Sequence, residues 1–290
     1  MRLKRLICLL GLMITTFASF AQMPETDIWL FELDVKNGGQ LKKGVNITAR
    51  KGYDNQPSFS ADSKSLYYTS VQEASQSDVY ACTLKSKKTK RLTVTPESEY
   101  SPCECFDRKS ICTVTVLKDS TQVLQKLSGK TFSVSIPSLA GIDSVGYYTF
   151  LNKDTLLYYV LTKPHSLRVI TVNGQHEHFI ANHPTRGFKA VSRHEVIFGL
   201  KDSAATTFYL FDFRTKEAVK YAEHQGIHED IFWHEKNGLF ISDGVQLKRY
   251  LKNENNWQMI YDFSAYGLKK ITRFCFSADG KYLAVVDNTD

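Results

Sequence analysis

The chain has little of what marks the common function classes. Beyond residue 17 it contains no uninterrupted apolar run of about 18 residues, the length a spanning helix needs, so no transmembrane anchor is expected. No block of Lys and Arg interleaves with aromatics. The densest basic run, residues 85–91, reads as a solvated loop or edge, and nucleic acid is not an expected partner. There is no Gly-x-Ser-x-Gly elbow and no hydrolase domain, which argues against a serine peptidase of the prolyl type. Gly-rich phosphate loops are also missing, since Gly38-Gly39 joins two strands rather than opening a helix. Few segments fit a long amphipathic helix.

What is present begins with a leader. Arg2, Lys4 and Arg5 precede an apolar run over residues 6–17 that ends in Ala18-Ser19-Phe20-Ala21, the pattern of a secretory signal peptide cut before Gln22. The leader holds three of the 37 Lys and Arg, so residues 22–290 carry 34 against 30 Asp and Glu, a mild +4. About 269 residues suit one large β domain, here residues 22–290. Five cysteines survive cleavage: Cys82, Cys103, Cys105, Cys112 and Cys275. An odd number leaves at least one unpaired. Cys105 and Cys112 face each other across a hairpin where a bond is feasible, but buried free thiols filling a tapered sheet are the favoured reading.

The organising unit is a hairpin over residues 55–68, in which an apolar strand meets a polar turn at Asp62 and a strand rich in Leu and Tyr leaves it. A second clear copy, residues 274–284, places Gly280 where the turn calls for positive φ. With Asp62 as marker, further copies fall at Asp107, Asn152, Arg193, Glu235 and Asp279, in steps of 45, 45, 41, 42 and 44. That period belongs to four-stranded propeller blades rather than helical or leucine-rich repeats. Six markers predict six blades. Asp27 to Leu33 matches Asp78 to Leu84 as a third blade strand, and Asn46-Ile47-Thr48 matches Arg91-Leu92-Thr93 as a fourth. The chain thus begins halfway through a blade and ends halfway through another. Two open edges would leave backbone groups unpaired, so residues 27–49 are expected to dock beside residues 282–287 and close the ring.

Gln56-Pro57-Ser58-Phe59-Ser60-Ala61-Asp62-Ser63-Lys64, with Ser77-Asp78-Val79-Tyr80 and Lys90-Arg91-Leu92-Thr93 after it, resembles the WD40-like (PD40) repeat of TolB-type propellers. That pattern runs Pro-x-Trp-Ser-Pro-Asp-Gly-Lys, then Asp-Ile-Tyr, then Arg-Leu-Thr. It departs here at Phe59, Ala61 and Ser63, and is sharp only over residues 27–116 and 273–287. The resemblance implies an all-β, six-bladed propeller of four-stranded antiparallel blades with a scaffold role in a Gram-negative periplasm. The extra N-terminal domain usual in TolB has no counterpart in the sequence, which sets the chain apart from the Tol system itself.

In such a fold the loops entering each first strand form a funnel. These loops carry Tyr53, Asp54, Glu99, Tyr100, Asp143, Arg186, His224, His228, Glu229, Asp230, Lys269 and Lys270. Tyr53, Asp54, Glu99, Tyr100, Asp143, Arg186, His228 and Lys270 form the expected binding set for a protein, peptide or envelope component. Plain surface loops are the alternative. No cofactor, catalytic residue or metal ligand is assigned, and a monomer is expected. His224, His228, Glu229, Asp230 and His234 are the densest collection of metal-type side chains, but their spacing matches no known helical metal motif. Some TolB-like propellers are metal-assisted uronate lyases, so that activity stands as an alternative, as does a purely structural module.

Overall fold

The computed structural model describes residues 23–72, 76–129, 132, 134–136 and 138–290. The expected leader and part of the strand expected over 131–136 lie outside them. Among the described residues there are strands and three short 3-10 turns but no α-helix, so no helix is long and apolar enough to cross a membrane.

Strand β1 (Thr26–Asp34) turns into β2 (Gln40–Asn46), and the start of β1 meets the next strand in parallel, Thr26 opposite Tyr53, which joins this hairpin to the first of the sheets that follow. Four-stranded antiparallel sheets then succeed one another along the sequence. The first comprises β3 (Tyr53–Phe59), β4 (Ser65–Val71), β5 (Ser77–Thr83) and β6 (Lys88–Arg91). The second comprises β7 (Ser98–Glu104), β8 (Ile111–Val116), β9 (Gln122–Ser128) and β10 (Val134–Ile136). The third is β11 (Val145–Asn152), β12 (Thr155–Val160), β13 (Ser166–Thr171) and β14 (His178–Asn182). The fourth is β15 (Pro184–Ala190), β16 (Glu195–Lys201), β17 (Ala205–Asp212) and β18 (Glu217–Gln225). The fifth is β19 (Ile231–His234), β20 (Gly238–Asp243), β21 (Gln246–Leu251) and β22 (Asn256–Asp262). Last come β23 (Ile271–Phe276) and β24 (Tyr282–Asn288).

β24 pairs antiparallel with β1, from Thr26 opposite Asn288 to Glu32 opposite Tyr282, giving the order β23-β24-β1-β2. The two ends are tied again where Glu25 N donates to Asp290 Oδ2 at 3.0 Å and Thr289 N donates to Glu25 O at 3.0 Å. The expected docking of the N-terminal segment beside the C-terminal strands is therefore present. The fourth strands end earlier than expected: Asn46 and Arg91 are their last residues, and Thr48 and Thr93 instead cap backbone, accepting from Ile28 N and Val79 N.

The alternation of β1 shows how a two-residue period builds the core. Ile28 and Leu30 pack with Leu66, Leu84, Ala284 and Val286, against the first sheet, while Phe31 and Leu33 pack with Phe240, Phe263 and Val285, against the fifth. Each such side chain removed from water contributes about 1.5–3 kcal/mol. Three further apolar clusters lie between the second and third, third and fourth, and fourth and fifth sheets. The contact of the first sheet with the second has a polar character. Gln56 Oε1 accepts from Ser101 N at 2.6 Å, Ser98 Oγ accepts from Ser77 N, and Glu104 accepts from Ala61 N.

The turns match the sequence marker closely. Asp62, Asp107, Asn152 and Asp279 each accept through Oδ1 from the backbone N–H two residues on, at 2.9–3.1 Å. The residue after the marker is left-handed at Ser63, Arg108 and Gly280, with φ of 54°, 54° and 69°. At the weaker copies the acceptor sits one residue earlier: Ser192 Oγ and His234 Nδ1 take that role.

One expectation is corrected here. Cys105 and Cys112 are joined by a disulfide, with Cα atoms 5.6 Å apart, while Cys82, Cys103 and Cys275 are free. The turn at Asp107 brings the two Cα atoms within bonding reach. The bonded pair is itself buried, as is free Cys82, while free Cys103 and Cys275 are partly buried, so burial does not separate bonded from free thiols.

Candidate functional site

The first strands do not run straight. Register irregularities occur between Asn55 and Ser58 in β3, Tyr100 and Cys103 in β7, Val145 and Tyr147 in β11, Pro184 and Phe188 in β15, and Ile271 and Arg273 in β23. A bulge inserts an unpaired residue, bends the strand and re-aims its side chains. Gln56 and Ser101 take positive φ at these points, 58° and 50°. Gly187, beside Arg186, lets β15 and β19 approach so closely that a Cβ there would meet Ile231 N at 2.9 Å.

The re-aimed residues line two cavities. One, of about 500 Å³, is bounded by Met23, Tyr53, Tyr100, Gln122, Thr272 and Asn288 among others. The second, of about 370 Å³, is bounded by Phe59, Cys103, Phe150, Lys189, Asp230 and Cys275 among others. Gln56, Tyr147, Arg186 and Arg273 line both and form the waist between them.

The waist is electrostatically coupled. Burial alone would raise the Tyr147 phenol, but the Arg273 and Arg186 guanidiniums outweigh it and hold its pKa below the ordinary value. Arg273 also stacks its guanidinium 5.1 Å from the Tyr147 ring centroid. Burial works against the Arg273 cation, yet Tyr147, Asp230 and Tyr53 keep it protonated, with a pKa above its usual value. Tyr53 is pushed up to about 12, mainly by burial, with Arg273 and Arg186 pulling the other way. Burial raises the Cys103 thiol to about 11 and that of Cys275 to about 12, so neither is a thiolate near neutral pH.

Of the eight residues expected to bind, Tyr53, Tyr100 and Arg186 converge on the larger cavity. Asp54 and Glu99 point inward and are fully buried. Arg50 donates to Asp54 Oδ1 at 2.7 Å, and burial still raises that carboxyl to about 6. Glu99 accepts from Thr93 Oγ1 at 3.0 Å and from Thr95, with no cation beside it, and burial raises it to about 7. A strand residue one step from Tyr53 or Tyr100 faces the opposite side, and that is why these two carboxyls leave the cavity. His228 is buried, its ring held by His224 Nδ1 at 2.7 Å and Ser242 O at 2.9 Å. Asp143 lies in a separate shallow cleft beside Asp119 and Thr121. Lys270 is exposed, with its backbone N–H donating to Asp287 at 2.8 Å.

Gln56, Tyr147 and Arg273 are outside the expected set: Tyr147 and Arg273 each lie one residue beyond the loops read over 140–146 and 264–272, and Gln56 ends the loop read over 51–56 but is neither charged nor aromatic. One signal points to two of them. Gln56 and Arg273 both stand six residues before their marker, at Asp62 and Asp279.

No three His, Cys, Asp or Glu side chains come together as a metal site among the described residues. His224 Nε2 lies 3.9 Å from Asp243 Oδ2, but its Nδ1 is occupied by His228 and the Gln225 carbonyl. The residues present therefore do not fit a histidine-bound metal.

No family model matches the chain, and no curated protein matches it. Solved structures do. A provisional TolB from Agrobacterium tumefaciens aligns with a TM-score of 0.63 and 10% identity, over 92% of this chain and 99% of that one. A chain of the nidogen/laminin complex aligns at 0.60 and 10%, over 90% and 98%. An oligogalacturonate lyase in complex with manganese aligns at 0.56 and 12%, over 90% and 82%. Identities this low carry the fold alone. The chain has a TolB-like β-propeller fold.

Proposed function

We propose that this chain is an exported, non-catalytic, six-bladed propeller of residues 22–290 that binds a protein or peptide of the cell envelope at its larger cavity. Ring closure is supported by the contacts of β3 with β7, β11 with β15, β15 with β19, β19 with β23 and β23 with β3, together with the β1–β24 pairing. Tyr148 Oη bridges the second and third sheets, 2.6 Å from Cys112 O and 3.0 Å from Ser101 O. The leader and the TolB-like fold favour a periplasmic location.

The observation that carries binding is the larger cavity itself. It is an opening of about 500 Å³, lined by residues of five sheets, in which aromatic faces alternate with Gln, Asn and Arg. That mixture of apolar body and polar tip suits recognition of an extended segment. The lyase alternative finds no ligand set among the described residues, and no step through a metal is drawn. The test is photo-crosslinking from position 100 in a periplasmic extract, with and without Tyr53→Ala and Arg186→Gln. Discrete adducts that disappear in the variants are expected; adducts unchanged by both substitutions would remove the cavity from the proposal.

A further inference from the structure

We infer that the waist between the two cavities is a carboxylate-binding site, and that its occupant is an acidic side chain or a free C-terminus of a peptide segment. This rests on the cavity-binding reading above and adds the chemical class of the ligand. Arg186, Arg273 and Lys189 contribute three cations, whereas Asp230 is the one acid among the residues lining either cavity. Among the described residues none of the three forms a salt bridge. Arg186 Nη2 donates to the Thr272 carbonyl at 3.2 Å, and Arg186 Nε is buried with no partner. Asp230 Oδ2 accepts from Phe274 N at 3.3 Å. The nearby Glu229 is held by Lys201 and by the Arg186 backbone N–H, so it does not neutralise the Arg186 guanidinium.

Guanidiniums withdrawn from water without an anionic partner are costly, and the cost is recovered when a carboxylate enters. An Arg fork matches a planar carboxylate better than any other side chain does. Two guanidiniums share the waist with the phenol of Tyr147, which adds an O–H donor, and with the Gln56 amide. A cationic ligand is repelled by the same arrangement. The aromatic walls at Tyr53, Tyr100 and Phe150 provide the flanking contact that a peptide chain uses on either side of its acidic group.

The test is calorimetric titration of the full chain with four probes: acetyl-hexaglutamate amide, acetyl-hexaglutamine amide, acetyl-hexaglutamine with a free C-terminus, and hexagalacturonate. Expected is binding of hexaglutamate or of the free-terminus peptide, with the neutral amide about tenfold or more weaker. Arg186→Gln and Arg273→Gln each weaken that binding by about tenfold or more, and Arg273→Lys falls between. Neither Gln variant lowers the unfolding midpoint by much, because neither arginine holds a salt bridge and Arg186→Gln gives up one 3.2 Å hydrogen bond to the Thr272 carbonyl; a purely structural arginine would lower it in step with the lost binding. Equal binding of the acidic and neutral peptides overturns the carboxylate site while leaving the cavity as a peptide site. Arginine-dependent binding of hexagalacturonate alone overturns the peptide occupant, and binding of none of the four overturns both readings.

Discussion

Glu99 offers the most direct measurement of how this fold buries charge. Its carboxyl lies at the polar contact between the first two sheets, fully enclosed, with two threonine hydroxyls but no cation, and with Asp78 and Glu97 adding repulsion. Raising a carboxyl from its ordinary 4.5 to about 7 corresponds to about 3 kcal/mol between protonation states. The sign is set by proton uptake. Between pH 4.5 and 7 the folded chain holds a proton that the unfolded chain has released, so stability rises as pH falls through that window and is flat below it. Above pH 7 the folded state carries the full penalty of an ionised buried group. Asp54, raised to about 6 from 3.8, acts in the same direction over its own window. Glu99→Gln keeps the shape, and its amide can donate to Thr95 while Thr95 donates to the Glu97 carbonyl. The variant should match the parent near pH 4.5 and exceed its stability by up to about 3 kcal/mol at about pH 8, with a shallower pH slope between. Urea-unfolding midpoints at about pH 5, 6, 7 and 8, monitored by tryptophan fluorescence, would show it. A variant destabilised equally at every pH would refute the argument.

Three other outcomes are expected at named positions. Arg108→Gly relieves a left-handed residue on an exposed turn, φ 54°; the αL cost of about 1–2 kcal/mol, less the entropy of Gly, predicts a gain of up to about 1 kcal/mol by thermal unfolding. Gly187→Ala forces a Cβ to 2.9 Å from Ile231 N and should cost about 1–3 kcal/mol in urea, with weaker peptide binding because Arg186 moves with the strand. In denaturant without reductant, Cys82, Cys103 and Cys275 of a chain made without residues 1–21 should label with a thiol reagent and Cys105 and Cys112 should not; Cys105→Ser with Cys112→Ser should lower stability by about 2 kcal/mol.

Much of the architecture is local, and local features are readable. The Asp62, Asp107, Asn152 and Asp279 turns are set by one side chain bonding its own backbone, so a marker spaced by about 45 residues announces repeating hairpins before any contact is known. The pairing of β1 with β24 is also implied by sequence alone, because a chain that opens on third and fourth strands and closes on a first and second has two edges in need of each other. The binding surface is different. Alternation gives the face of a residue only while the strand is regular: it turns Asp54 and Glu99 away from Tyr53 and Tyr100, but five first strands are irregular at the waist, where Arg273, Tyr147 and Gln56 line the cavities. The charge imbalance there arises from residues up to 87 positions apart, Arg186 to Arg273, whose proximity no local pattern encodes. Short-range hydrogen bonding and a two-residue period thus settled the strands and their order, whereas the meeting of three cations with one acid was decided only when distant strands packed around a shared opening.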